Sequence, residues 1–235
     1  MNTFLIKLKS SFFLALCMVS ASTFAQESMI QRVDVTVHKN NQLGVFVEGG
    51  FNIPFTDVQD PQPGRVFGMG ASFSPLSYIQ IAFNVQNGKL IEGRRQKPYS
   101  DMNYSNSYAY TALIGRISPF KIFKRPDEGI VKYLDGYCGF GLGLIFNHVS
   151  TGSVDAASYG KLNNYNGIAF LLPYEIGYTL PVYTFSKDKR EISLNVNYRN
   201  HVSFSDKLDG YVPTVEVNKS NDIFNQLTFG IVYSF

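Results

Sequence analysis

With 235 residues, a formal charge of +3, 17% charged side chains and two cysteines, the chain offers no electrostatic argument for nucleic acid or any strongly charged partner. Its 20 phenylalanines, 15 tyrosines and 20 glycines, combined with scarce helical periodicity, point instead to an all-β fold. No cofactor and no metal are expected.

The first element is a leader. Lys7 and Lys9 precede an apolar run from Phe12 to Val19, and Ala21-Ser22-Thr23-Phe24-Ala25 offers a cleavage site before Gln26. Residues 1–25 therefore read as a secretory signal peptide, whose apolar run is too short to span a bilayer. Leu16 stands before Cys17 where a lipoprotein signal needs a small residue. Cleavage removes Lys7 and Lys9 and no acid, so the charge falls to +1. It also leaves Cys138 alone, which excludes an intrachain disulfide. In residues 26–42, Val33, Val35 and Val37 alternate before Lys39-Asn40-Asn41-Gln42; a periplasmic segment ending in a turn is expected there.

Eight segments follow, most with a period of two. The first, 43–53, sets Leu43, Val45, Val47, Phe51 and Ile53 against Gly44, Glu48, Gly50 and Asn52. In the second, 66–74, Phe67, Met69, Ala71 and Phe73 oppose Gly68, Gly70 and Ser72, and in the third, 78–91, Ile79, Ile81, Phe83 and Val85 oppose Gln80, Asn84 and Gln86. The fourth, 107–117, is apolar on both parities, so its facing stays open. The fifth, 134–147, sets Phe140, Leu142, Leu144 and Phe146 against Tyr137, Gly139, Gly141 and Gly143. The sixth, 167–180, carries Ile168, Phe170, Leu172, Tyr174, Ile176 and Tyr178 against Glu175, Gly177 and Thr179. The seventh, 191–203, carries Ile192, Leu194, Val196, Tyr198 and Val202 against Glu191, Ser193, Asn195, Asn197, Arg199 and His201. The eighth ends the chain, with Leu227, Phe229, Ile231, Tyr233 and Phe235 on one face.

Connections after the first, third, fifth and seventh strands are long and polar, whereas Ser74-Pro75-Leu76-Ser77 and 181–190 are short; 118–133 departs from this alternation. An eight-stranded antiparallel up-and-down barrel accounts for the series. A soluble barrel would hide its apolar face. Here the opposite face carries glycine, amides, hydroxyls and paired charges, which suit a side-chain-filled lumen, while lipid requires a continuous apolar outside and closed backbone pairing. Tyrosines near strand ends suit interfacial girdles.

In these residues the chain resembles the small outer-membrane β-barrel proteins of Gram-negative bacteria, the group containing the transmembrane domain of outer-membrane protein A. The likeness covers residues 43–235 as a pattern. Leu227, Phe229, Ile231, Tyr233 and the closing Phe235 resemble the C-terminal signal that the barrel-assembly machinery recognises in that group. It implies that machinery as a partner during insertion, and outer-membrane lipid and lipopolysaccharide as surroundings.

Glu48, Glu175, Glu191 and Arg199 share the polar parity, with Arg116 joining if the fourth strand faces that way; unpaired charges there would be costly, so cross-lumen pairing is expected. The Gly139, Gly141 and Gly143 row makes space for Tyr137 and side chains across the lumen. His148-Val149-Ser150 and His201-Val202-Ser203 both fall near strand ends. His201, Ser203 and Asn221 weakly resemble the acyl-transfer site of the lipid A deacylase family, but Asn225 stands where that family has Glu and His201 is on the inward parity. Polar strand ends rather than catalysis are expected. Arg94, Arg95 and Lys97 form a basic cluster in the second long loop, suited to lipopolysaccharide phosphates or solvent. The expected role is structural or interactive, through the surface loops, with a narrow channel and an acyl hydrolase as alternatives.

Overall fold

The computed structural model describes residues 39–56, 61–92, 104–123, 136–151, 160–162, 164–185, 190–205, 208, 211–213 and 222–235. The signal peptide, residues 26–38, the first two residues of the fifth predicted strand (134–135), Asn221 and the Arg94, Arg95 and Lys97 cluster lie outside them. In chain order the elements are β1 (Lys39–Phe55), β2 (Pro61–Gln62), β3 (Gly64–Leu76), β4 (Ile79–Glu92), β5 (Tyr104–Ile117), α1 (Pro119–Phe123), β6 (Gly136–Thr151), β7 (Gly160–Leu162), β8 (Tyr165–Thr184), β9 (Glu191–Ser203), β10 (Tyr211–Pro213) and β11 (Ile223–Ser234).

Eight of these strands form a ring. The sheet runs β4-β3-β1-β11-β9-β8-β6-β5, and β5 pairs back with β4, so every long strand has two antiparallel neighbours and the sheet has no free edge. The seam joins the first and last strands, from Gly44 opposite Ser234 to Phe55 opposite Ile223. Leu43 and Phe235 exchange backbone bonds of 2.8 and 3.1 Å beyond it.

β2 continues the line of β3 past Pro63, pairing with Ile91 and Glu92 at the end of β4. The turn between β3 and β4 is at Ser77 and Tyr78, slightly later than the sequence suggests. After β5 the chain enters the single turn α1, with Ser118 N–H bonded to Tyr78 O at 2.9 Å. No helix among the described residues is long and apolar enough to cross a membrane.

Three differences from the sequence reading have physical causes. Lys39 to Gln42 belong to β1 rather than to a turn: Lys39 pairs with Leu76, and a register shift before Gln42 coincides with Asn41 at φ 44°. Asparagine tolerates that left-handed conformation, so the turn signal marks a bulge within a strand. Second, segments inside the third and fourth long connections pair with each other, Tyr211 opposite Leu162 and Pro213 opposite Gly160. Third, β5 resolves with Tyr108, Tyr110, Ala112, Ile114 and Arg116 inside and Leu113 and Ile117 outside.

Candidate functional site

The alternation of each strand sorts the wall into two surfaces. Outside stand Phe67, Phe83, Leu142, Phe170, Val196 and Phe229, each at least 38% exposed despite being apolar. Inside, Glu48, Arg116, Glu175 and Arg199 are all nearly fully buried. A water-soluble protein does not invert its surfaces in this way; a wall facing hydrocarbon does. The fold is that of a small transmembrane β-barrel.

Its interior is bridged by one connected set of charges. Glu175 Oε1 accepts from Arg116 Nε at 2.5 Å, while Oε2 accepts from Arg199 Nε and Asn197 Nδ2, both at 2.7 Å. Arg199 Nη1 reaches Gln226 Oε1 at 3.1 Å and Glu48 Oε1 at 3.5 Å. The Glu48 carboxylate also accepts from Gln86 Nε2 at 2.5 Å, Asn84 Nδ2 at 2.7 Å and Thr228 Oγ1 at 3.1 Å. Two carboxylates thus face two guanidinium groups and accept from amides and a hydroxyl as well, which offsets the burial of their charge, while Arg199 Nη2 bonds no described residue.

Glycines make room for this layer. Arg116 lies with its guanidinium carbon 4.8 Å from the Tyr137 ring centre, a cation–π distance. Tyr137 is directly opposite Gly177, where an added Cβ would come within 2.3 Å of the Tyr137 ring. Tyr108 covers Gly88 and Phe46 covers Gly70 in the same cross-strand manner, both with such contacts at 2.4 Å. A Cβ at Gly139 would sit 2.9 Å from Glu175 Cγ, and one at Gly143 would sit 2.8 Å from Tyr110. Within the Gly139, Gly141 and Gly143 row, Gly139 and Gly143 make room for side chains of the adjacent strands, whereas Tyr137 lies over Gly177 instead.

Toward the end with the long connections the interior changes character. Leu90, Tyr104, Ile145, Val149, Ala169, Leu171 and Phe224 gather in one buried cluster with Leu208. Leu208 comes from the fourth long connection and is tied down at both backbone groups: its N–H donates to Asp222 Oδ2 at 2.8 Å and its carbonyl accepts from Asn106 Nδ2 at 2.9 Å. A small or polar lumen is the sequence expectation. The apolar cluster corrects it: Ile145 and Val149 on β6 and Ala169 and Leu171 on β8 stand on the inward parity and meet the apolar inward face of β5.

Glu191 stands apart from the ion pairs, at the first position of β9, where it accepts from Ser193 Oγ at 2.6 Å. The His201 ring is buried, stacked on Phe224 at 4.2 Å and edge-on to Tyr110 at 4.9 Å. Neither of its nitrogens makes a hydrogen bond to a described residue. Ser203 is equally buried, its Oγ accepting from Ser205 N–H at 3.0 Å. No nucleophile–base contact forms between them. Asn225, in the position resembling a catalytic Glu, faces outward and bonds Asn200. His148 is exposed and 2.6 Å from Asn166 Oδ1. Leu227, Phe229 and Ile231 face outward as the terminal pattern requires, with Tyr233 and Phe235 ring centres 5.9 Å apart at the strand's end.

No family model matches the sequence, and no curated protein matches it. Among solved structures the barrel is similar to Neisserial surface protein A (NspA), at 12% identity over 83% of this chain and 100% of that one, with a TM-score of 0.46. It is also similar to Ail, the attachment invasion locus protein of Yersinia pestis, at 10% identity over 83% and 99% of the two chains and a TM-score of 0.46. For outer membrane protein OprG from Pseudomonas aeruginosa the values are 13%, 86%, 99% and 0.37. What identifies the barrel is its own closed ring of pairings and its inverted surfaces.

Proposed function

We propose that the chain is an integral outer-membrane barrel with a closed interior, acting through what its long connections present at the cell surface. The observation that carries this is the crossing of the lumen by Glu48, Arg199, Glu175 and Arg116, joined through hydrogen bonds of 2.5 to 3.5 Å. Eight strands enclose a width that side chains fill. The Leu208 cluster closes the loop end above that layer. Insertion from the periplasm, guided by the barrel-assembly machinery through Leu227 to Phe235, would place the termini inside and the long connections outside.

Conductance in planar bilayers tests the closed interior. The expected result is no stable step above background for the purified protein; reproducible single-channel steps would support the narrow pore instead. Protease accessibility of the 148–166 connection on intact cells tests the orientation, with cleavage expected.

A further inference from the structure

The outer wall has a dent at Gly49 with cations at its rim. Gly49 faces outward between Phe67 on β3 and Phe229 on β11, its direct partners on either side. A Cβ built there would meet nothing nearer than Val66 O at 3.8 Å. Inward glycines such as Gly70, Gly88 and Gly177 are covered by aromatic rings, whereas Gly49 is left open toward lipid. The result is a groove of about 670 Å³, floored by Gly49 and Gly50 and walled by Phe51, Phe67 and Phe229.

At its loop-end rim stands Arg65, exposed and directly opposite Phe51, with Asn87 lining the same groove. Lys89 follows two residues beyond Asn87 on the same outward face. Among the described residues no carboxylate balances these cations: the acidic residues of β1, β3 and β4, Glu48 and Glu92, both point inward and are buried. A cationic rim above an apolar furrow, at the margin of a lipid-facing belt, matches a ligand with an acyl chain below and a phosphate above. Guanidinium suits that phosphate because its fork can bind two oxygens at once.

We infer that this groove is a binding site for a phosphorylated glycolipid of the outer leaflet, lipid A, with one acyl chain over Gly49 between Phe67 and Phe229 and a phosphate on Arg65. The inference rests on the orientation proposed above, because the rim lies at the end carrying the long connections. Gly49→Leu would occupy the furrow, its Cβ meeting nothing nearer than 3.8 Å, and Arg65→Gln would remove the charge. Gly115 supplies the control: it is also outward and open, with only Phe140 O at 3.8 Å from a built Cβ.

The test is native mass spectrometry of the full folded chain in detergent, titrated with lipid A or with phosphatidylglycerol at equal concentration. Arg65→Gln and Gly49→Leu are each expected to lower lipid A occupancy about tenfold, the scale of one lost charge-assisted contact, and Gly115→Leu to leave it unchanged. Equal occupancy in all variants would overturn the site, as would phosphatidylglycerol binding as tightly as lipid A. Heat-modifiable gel mobility of the same samples confirms that each variant is folded. Loops found inside the cell by protease accessibility would refute the orientation separately, since binding in detergent does not depend on it.

Discussion

At the level of single residues, parity decides what each side chain costs. Leu142 is 66% exposed on the outer face, so Leu142→Arg places a cation in hydrocarbon and is expected to destabilise the barrel by about 2–4 kcal/mol. Glu175→Gln acts from the opposite face. It removes the charge that holds both Arg116 and Arg199, leaving buried cations short of a partner, and is expected to cost about 3–5 kcal/mol. Because the chain has no tryptophan, urea unfolding in lipid vesicles is followed by heat-modifiable mobility or circular dichroism; a shift below 1 kcal/mol, roughly the value of an exposed pair, would argue against burial of the network. Glu48, Glu175 and Arg199 were legible from alternation alone. Arg116 was legible only conditionally, because Tyr108, Tyr110, Ala112 and Ile114 are as apolar as the residues facing lipid. That His201 and Ser203 do not meet was not legible, because the His201 ring is held by stacking on Phe224 and an edge-on contact with Tyr110, side chains contributed by other strands.

Strands β1 and β11 show what closure demands of an element. Gly50 faces inward at the seam, opposite Thr228, and a Cβ there would stand 1.9 Å from Leu227 O. The neighbouring backbone, unlike a flexible side chain, cannot yield that space. Gly50→Val is therefore expected to block formation of the seam, seen as loss of the heat-modifiable folded band, whereas Gly49→Val one residue away should leave the band intact. β1 also shows how a local signal is reinterpreted by its neighbours: Asn40-Asn41 looks like a turn, yet pairing with β3 extends the strand through it and absorbs the odd residue as a bulge. In β5 the ambiguity is resolved from outside. Gly88 on β4 and Gly143 on β6 receive Tyr108 and Tyr110, which draws that parity into the lumen.

For the whole barrel, the interior has two layers with different chemistry. The ion-pair layer crosses the lumen and the apolar cluster fills it toward the loop end, with Leu208 as its lid. In the closed interior proposed above, each layer would obstruct the passage by itself. Conductance is accordingly expected to remain at background even in Leu208→Ser, because Arg199 and Glu175 still bridge the lumen beneath; steps appearing in that variant would show that the lid alone closes the barrel. The lid also links surface to interior. Asp222 accepts from the Leu208 backbone, and its own carbonyl accepts from Ser203 N–H at 2.9 Å at the end of β9, so the fourth connection is anchored directly to the wall.

Alternation in the sequence was sufficient to determine eight strands, the outward set on seven of them and the burial of the principal charges. The reason is local: a strand repeats its facing every two residues, and hydrocarbon on one side makes that period hard to mistake. Tertiary structure decided the rest. Which charges meet depends on the register of strands far apart in sequence, as when Arg199 lies opposite Glu175 and reaches across to Glu48. The facing of β5, the ring-over-glycine contacts, the inward fold of Leu208 and the open floor at Gly49 all depend on a neighbour's side chain or its absence. No periodicity within a single strand carries that information.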